Sequence, residues 1–295
     1  MTETTPPQTL AAALQQARQQ GVDRLDATLL LLHALGRSGQ DRAWLLAHDA
    51  DALSEDARVG FTALVARRAA GEPLAYLTGH REFFGLDLQV DARVLVPRPD
   101  TETLVNWALE VLPAKPHTSD ASSQPWRVLD LGTGSGAIAL ALKAQRPQLQ
   151  VQGSERSDAA LAVARGNAQR LGLDVAFSQG HWLVGVQQRY QLIVANPPYI
   201  ASTDPHLLAL RYEPLEALTA GVDGLQDLRA IIASAAGCLQ AGGWLLLEHG
   251  YDQASQVCHL LKAAGFKRVQ SRLDLAGIAR CSGGQVSDLG ETASQ

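Results

Sequence analysis

The sequence predicts an α/β fold preceded by a small helical domain, and two patterns carry this prediction. Apolar residues recur at helical spacing from Thr9 to about Leu77. From Trp126 onward, short runs of strand-forming residues alternate with helical segments, which is typical of βαβ units in a mostly parallel sheet with helices on both faces. A length of 295 residues also favours two domains, because single cores rarely grow beyond about 250 residues.

The first domain is predicted to be entirely helical. In one of its segments Ser54 is a natural N-cap, Phe61, Leu64 and Val65 share one face, and Pro73 follows the end of the pattern. The nine acidic residues and seven arginines up to Thr78 give this domain a net charge of −2. A basic stretch for holding RNA is therefore absent, and we expect a protein-docking role.

Between the two domains the pattern changes to that of a β-hairpin. Phe84, Leu86, Leu88 and Val90 alternate with other residues, and Val94–Val96 lead into two prolines. We therefore expect three regions: a helical substrate-docking domain over 1–78, a β-hairpin linker over 79–99 and the α/β domain over 100–295. Within the last region, 117–125 are polar and predict a loop.

Composition narrows the partners and the compartment. The net charge of −5 and the pI of about 5.9 lack the basic footprint of a protein that grips phosphates, so we expect no stable nucleic-acid binding. Cys238, Cys258 and Cys281 have no CxxC spacing, which fits a reducing compartment and predicts no metal site. Because neither a signal peptide nor a membrane span is indicated, we expect a cytoplasmic protein.

A glycine-rich turn follows the first predicted strand of the α/β domain, in "VLDLGTGSGAIALAL". Asp130 ends the strand, and Gly132, Gly134 and Gly136 lead into a helix, so a nucleotide can lie directly on the backbone. The pattern fits a dinucleotide site, with Glu155 positioned for a ribose hydroxyl, and it fits S-adenosylmethionine equally. Asp130 suits the second ligand better, because S-adenosylmethionine is cationic and carries no phosphate.

The segment "LIVANPPYIA" ends the fourth predicted strand of the sheet in Asn196, Pro197, Pro198 and Tyr199. Neither proline offers an N–H, so the loop presents two acceptors, the Asn196 side-chain oxygen and the Pro197 carbonyl. An NH2 group would satisfy both acceptors, and the Tyr199 ring can lie against a planar amide or base. These residues predict methyl transfer from S-adenosylmethionine to a planar amino nitrogen, with Asn196, Pro197 and Tyr199 as the catalytic residues.

Several longer segments resemble one family more closely than the loop does alone. They are "PLAYLTGHREFFGL", "VPRPDTETLV", "LDLGTGSGAIALAL", "NPPYI", "RYEPLEAL" and "LLLEHG". Together they resemble the peptide chain release factor glutamine-N5 methyltransferases. The resemblance implies a Rossmann-like class I S-adenosylmethionine-dependent methyltransferase domain with a small N-terminal helical bundle. It also implies that the substrate is the glutamine of the Gly-Gly-Gln motif of class 1 release factors.

The resemblance assigns roles to particular residues. With Asp130 added from the argument above, the expected cofactor-binding residues are Asp130, Gly132, Thr133, Gly134, Ser135, Gly136, Glu155, Trp182 and Asn196. Asn196, Pro197, Pro198 and Tyr199 are expected to receive the glutamine, with Arg98 and Glu102 at the mouth of the site. The family commonly has an acidic residue before the tryptophan, where this chain has His181.

Two other function classes stay open at this point. Asn-Pro-Pro-Tyr also occurs in enzymes that methylate RNA or DNA bases, and the glycine turn alone fits a dinucleotide-dependent enzyme. A basic patch on the folded surface would favour the nucleic-acid alternative.

Overall fold

The computed structural model describes residues 8–112 and 125–287, and the chain divides into two compact units, Met1–His80 and Arg81–Gln295. Most of the predicted polar loop over 117–125 lies outside the described residues. No helix in the described ranges is long and apolar enough to cross a membrane.

The first unit is a bundle of short helices. They are α1 (Leu10–Gln19), α2 (Arg24–Ala34), α3 (Arg42–Ala47), α4 (Glu55–Ala69) and α5 (Leu74–Thr78). The Ser54 hydroxyl accepts a hydrogen bond from Ala57 N at 3.4 Å and so caps α4, as predicted. Phe61 and Val65 are buried and Leu64 packs against the same core, which confirms the predicted face.

The hairpin consists of β1 (His80–Phe83) and β2 (Leu86–Gln89). Residues 81–99 belong to the second unit, whereas the sequence predicted a separate linker over 79–99. The hairpin belongs to the second unit because it is held there by specific contacts. Leu88 is fully buried, and Asn167 binds the backbone of Gln89 through both ends of its amide, at 2.7 and 2.9 Å. Val94–Val96 form no strand, because Val96 N donates to the Glu213 carboxylate at 3.1 Å.

The rest of the second unit is an α/β sandwich. Its helices are α6 (Glu102–Val111), α7 (Ala137–Gln145), α8 (Asp158–Leu171), α9 (Gln226–Cys238) and α10 (Ala254–Ala263). Its strands are β3 (Arg127–Leu131), β4 (Gln150–Glu155), β5 (Ala176–Gln179), β6 (Tyr190–Ala195), β7 (Leu239–Glu248), β8 (Lys267–Leu273) and β9 (Ala279–Gln285). Short 3-10 helices occupy Pro99–Thr101, Pro205–Leu210 and Leu215–Ala217.

These seven strands form one sheet in the order β5-β4-β3-β6-β7-β9-β8. Strands β3 to β7 are parallel, and β9 is antiparallel to both β7 and β8. The predicted mostly parallel sheet is therefore confirmed, and β6 is its fourth strand along the chain. Because β4 and β6 pair with opposite sides of β3, the strand order reverses at β3 and β6, where ligands of such sheets bind.

The alternation of side chains along β3 assigns its residues to the two faces of the sheet. Leu129 and Leu131 join a buried cluster with residues of α9 and α10, including Ile231 and Val257. Asp130 points to the opposite face, where it meets the first turn of α7. Asp130 therefore contacts α7 and is separated from the cluster that contains Leu129 and Leu131.

Candidate active site

A cleft opens at the carboxyl ends of β3, β4 and β6. Leu131 of β3 pairs with Ala195 of β6, so the glycine turn and the Asn-Pro-Pro-Tyr loop emerge side by side. The predicted cofactor residues that line this cleft are Gly132, Gly134, Glu155, Trp182 and Asn196. The fold thus brings these residues, which come from four separate segments of the sequence, to one cleft.

The glycine turn lies against the floor of the cleft. Gly132 and Gly134 have φ angles of +67° and +54°, which side-chain-bearing residues rarely adopt. A Cβ on Gly132 would lie 3.1 Å from the Trp182 ring. Glu155 Oε2 accepts a hydrogen bond from Gly134 N at 3.1 Å, and Oε1 accepts one from Ser157 N at 3.0 Å. Glu155 therefore fixes the turn to the end of β4 while it lines the cleft.

Asp130 lies beneath the turn and does not line the cleft. Its Oδ2 accepts hydrogen bonds from Thr133 Oγ1 at 2.6 Å and from Ala139 N at 3.2 Å. Its Oδ1 is buried with no partner among the described residues. Burial raises the pKa of Asp130 to about 7, against the opposing effect of these hydrogen bonds. The carboxyl group thus holds the turn and the start of α7 in place.

The remaining predicted cofactor residues of the turn also lie outside the cleft lining. They are Thr133, Ser135 and Gly136. Thr133 and Ser135 are buried, and Gly136 begins α7 with a φ of +85°. Their contacts shape the turn from within.

Trp182 forms one wall of the cleft and has a φ of +50°, which is uncommon for a residue other than glycine. Its Nε1 donates a hydrogen bond to Asp227 Oδ1 at 3.0 Å, at the start of α9. His181 beside it is exposed at the cleft rim. Asp227 lines the cleft too, and the sequence prediction missed it, because an acidic residue in a first helical turn is common for capping alone.

The Asn-Pro-Pro-Tyr loop follows β6 at the edge of the cleft. Asn196 Nδ2 donates a hydrogen bond to Thr101 Oγ1 at 3.2 Å. Within the described ranges, nothing donates a hydrogen bond to Asn196 Oδ1. Pro197 is buried, Pro198 lines the cleft, and neither has an N–H. The amide of Asn196 therefore has its nitrogen committed to the protein and its oxygen available.

Tyr199 is half-buried and is held at both its backbone and its hydroxyl. Gln253 Nε2 donates to Tyr199 O at 3.0 Å, and the Tyr199 hydroxyl donates to Glu248 Oε1 at 3.4 Å. Burial, together with the charge of Glu248, raises the pKa of the phenol well above its ordinary value. Tyr199 is thus a neutral hydrogen-bond donor in a fixed position, and it does not itself line the cleft.

Glu248, at the end of β7, is fully buried and is a second residue that the sequence prediction did not assign. Burial raises its pKa to about 7, and hydrogen bonds from Thr101 and Tyr199 favour the ionised form. Its Oε2 has no partner in the part of the chain that the structure describes. The segments "PRPDTE" and "LLLEHG" contain Thr101 and Glu248, so the signal was present in the sequence.

Arg98 and Glu102 make internal contacts and do not line the cleft. Arg98 forms an ion pair with the buried Glu213, whose other carboxylate oxygen accepts from Val96 N. Glu102 Oε1 accepts from Phe84 N at 3.1 Å, in the turn of the hairpin. The structure thus gives both residues a part in building the segments around the cleft.

Comparison with known proteins identifies the relatives of this chain. The PrmC N-terminal domain family matches residues 8–79, and the methyltransferase small domain family matches residues 110–211. The release factor glutamine methyltransferase of Bordetella pertussis is 51% identical over 270 residues, which cover 90% of this chain and 96% of that protein. The chain belongs to the release factor glutamine methyltransferase family. Its counterpart in Burkholderia pseudomallei is 48% identical over 97% of this chain and 99% of that protein.

Solved structures of distant methyltransferases share the fold of this family member. The catalytic domain of hMettl16, in complex with an RNA hairpin, aligns with a TM-score of 0.54 at 18% identity. That alignment covers 78% of this chain and 84% of the hMettl16 chain. A likeness at this identity concerns the fold alone, and it agrees with the predicted class I methyltransferase architecture.

Proposed function

We propose that this chain transfers a methyl group from S-adenosylmethionine to the side-chain amide nitrogen of the glutamine in the Gly-Gly-Gln motif of class 1 release factors. The observation that carries the proposal is the Asn196 amide, whose nitrogen is bound to Thr101 and whose oxygen is available beside the cleft. Membership of the family supplies the substrate.

The loop fits a carboxamide NH2 group. Asn196 Oδ1 and the Pro197 carbonyl can accept its two N–H groups, which directs the nitrogen lone pair away from the loop and into the cleft. Pro197 and Pro198 offer no N–H that would compete for those acceptors. Tyr199, the last residue of the loop, is fixed by Glu248 and Gln253. The protein thus contributes mainly orientation, which is a large effect for a weak nucleophile.

The cleft residues also fit S-adenosylmethionine, which supplies a methyl group already activated on a sulfonium centre. Gly132 and Gly134 leave space for a ligand directly on the backbone, and Trp182 offers an aromatic wall. Glu155 and Asp227 contribute negative charge, which complements a cationic ligand. No general base is required, because the amide nitrogen becomes acidic once it is alkylated and loses its proton afterwards.

We further propose that the helical unit docks the release factor. Residues 8–79 of this unit match the PrmC N-terminal domain family. Its mixed charge supports a protein partner over RNA. A substrate of the translation machinery is consistent with a cytoplasmic protein that holds no nucleic acid stably.

The experiment uses labelled S-adenosylmethionine with a purified class 1 release factor, with the same factor carrying Gln→Ala in Gly-Gly-Gln, and with RNA and DNA. We expect label only on the unaltered factor. Label on a nucleic acid, or equal label on both factors, would contradict the proposal.

Asn196→Ala tests the role of the loop directly. We expect methyl transfer to be abolished, while S-adenosylmethionine binding weakens by about tenfold or less, the value of one net hydrogen bond. Asn106→Ala is the matched control, because Asn106 is exposed on α6. Near-normal turnover of Asn196→Ala would refute the geometry.

A further inference from the structure

A hydrogen-bond chain links Asn196 and Tyr199 of the Asn-Pro-Pro-Tyr loop to two buried residues that have no role in the reaction as described so far. Asn196 Nδ2 donates to Thr101 Oγ1 at 3.2 Å, and Thr101 in turn binds Glu248. Tyr199 reaches the same carboxylate directly, at 3.4 Å. Thr101 and Glu248 are buried and are absent from the cleft lining.

The direction of each proton in this chain follows from the donor inventory. The Asn196 NH2 group can only donate, so Thr101 Oγ1 accepts from it. A threonine hydroxyl has a single proton, and that proton is then free to point at Glu248. An ionised Glu248 accepts from Thr101 and from Tyr199 and offers no proton to either. All hydrogen bonds in the chain therefore run toward the carboxylate.

The opposite orientation of the Asn196 amide breaks this order. With Oδ1 against Thr101, the hydroxyl proton would have to point at Asn196, and Glu248 would lose a donor. Glu248 already has one buried oxygen without a partner in the described structure, so a further loss is costly. The flipped amide would also face the cleft with an NH2 group, which cannot accept an N–H from the substrate.

We propose that Glu248 is a positioning residue for methyl transfer, which acts through Thr101 to fix the orientation of the Asn196 amide and acts directly on Tyr199. The proposal rests on the proposed function. Glu248 touches neither substrate nor cofactor in this role; it determines which end of the Asn196 amide faces them.

Charged groups surround the hydrogen-bond chain formed by Asn196, Thr101, Glu248 and Tyr199. Arg280 Nη2 lies 3.2 Å from Asp100 Oδ2 and 3.2 Å from Asp274 Oδ2, next to the 3-10 helix that ends at Thr101. Arg280 favours the ionised form of Glu248, and Asp100 opposes it. Among the described residues, Tyr199 and the buried Cys281, which pairs with Glu248 across the sheet, also interact with this carboxylate, and the buried His249 follows it in sequence.

The test compares Glu248→Ala and Glu248→Gln with the unaltered chain, in steady-state methylation of a release factor. For Glu248→Ala we expect kcat to fall by at least about tenfold, while the affinity for S-adenosylmethionine stays within about twofold. Glu248→Gln keeps one acceptor oxygen and the side-chain volume. At pH about 8 its kcat should therefore lie between those of the unaltered chain and of Glu248→Ala. Ser271→Ala is the control, because it removes a partly buried hydroxyl from the edge strand β8 and should leave kcat unchanged.

A pH profile separates positioning from simple structural support. Burial raises the pKa of Glu248 to about 7, so below that pH the carboxyl of the unaltered chain is itself neutral. We expect kcat of the unaltered chain and of Glu248→Gln to converge as the pH falls to about 6. Equal kcat of the two chains at every pH in this range would overturn the proposal.

A double-mutant cycle tests whether Thr101 transmits the effect. Thr101→Val removes the hydroxyl and keeps the shape, and combined with Glu248→Ala it should reduce kcat no further than Glu248→Ala does alone. Additive losses of kcat in the double variant would overturn the proposal. So would a Glu248→Ala variant in which kcat, S-adenosylmethionine affinity and Tm all fall together, if Glu248→Gln restores none of them. If the unaltered chain fails to methylate the release factor, the proposed function itself fails, which is a distinguishable result.

Discussion

Asp130 contributes to the pH dependence of the stability of this protein, and Asp130→Asn should remove that contribution. The folded protein raises the pKa of Asp130 from its ordinary 3.8 to about 7, mainly through burial. A raised carboxyl pKa means that the folded chain binds a proton more tightly than the unfolded chain does. The free energy of unfolding therefore falls as the pH rises from about 4 to about 7, where the folded group finally ionises.

The size of this effect follows from the two pKa values. Because one pKa unit corresponds to about 1.4 kcal/mol, the rise from 3.8 to about 7 is worth about 4 kcal/mol in total. About 3 kcal/mol of it falls between pH 5 and pH 8, since the unfolded carboxyl is already largely ionised at the lower pH. Asparagine cannot ionise, and its oxygen can still accept the hydrogen bonds of Thr133 and Ala139.

The assay is urea unfolding at several pH values between about 5 and about 8, followed by tryptophan fluorescence. In a Trp44→Phe background the other four of the five tryptophans lie in the second unit, so the signal reports the unit that contains Asp130. We expect the free energy of unfolding of Asp130→Asn, relative to the Asp130 chain, to rise by about 3 kcal/mol across this range. Other titrating groups, Glu248 included, cancel in this difference. A difference that does not vary with pH would show that Asp130 stays ionised in the folded protein.

Three further predictions concern the cleft and the helical unit. Gly132→Ala should weaken S-adenosylmethionine binding by about tenfold in calorimetry, because residue 132 has a φ of +67° and an added Cβ would meet the Trp182 ring. The control Gly60→Ala, in α4, should have no effect. Since His181 is exposed, the S-adenosylmethionine affinity of His181→Asp should match that of the unaltered chain at both about pH 5.5 and about pH 8, and a difference at one pH alone would place His181 in contact with the cofactor. A chain lacking 1–78, checked for folding by S-adenosylmethionine binding, should methylate an intact release factor far more slowly than the whole chain does, and equal rates would exclude docking by this unit.

Local sequence patterns were sufficient for most of the fold, because its elements are defined by local periodicity and caps. Ser54 caps α4, and the run from Tyr190 to Ala195 is the fourth strand of the sheet, both as predicted. Val94–Val96 were assigned to a hairpin wrongly. The backbone N–H of Val96 binds the side chain of Glu213, a distant residue that no local pattern reveals.

The cleft was predictable to the extent that parallel strands end at the same edge of a sheet. That rule brings Gly132, Glu155 and Asn196 together, and the structure does so. It says nothing about the face to which a strand-end residue points. Asp130 alternates with its neighbours onto the α7 face, and so it supports the turn from below. The segment "LLLEHG" drew attention to the region of Glu248, but its contacts could not be predicted from its position in the strand, because its partners come from other segments.

Asp130 and Glu248 form two similar arrangements under the two cleft loops. Each is a fully buried carboxyl group at the end of a strand, and each receives a threonine hydroxyl, from Thr133 in one case and from Thr101 in the other. In each, one carboxyl oxygen lacks a partner in the described structure, and burial raises the pKa to about 7. Such groups reduce stability at neutral pH, so their presence needs a reason beyond stability. The reason consistent with the structure is orientation: a hydroxyl that must donate to a carboxylate has one direction, and the loop above it then has one conformation.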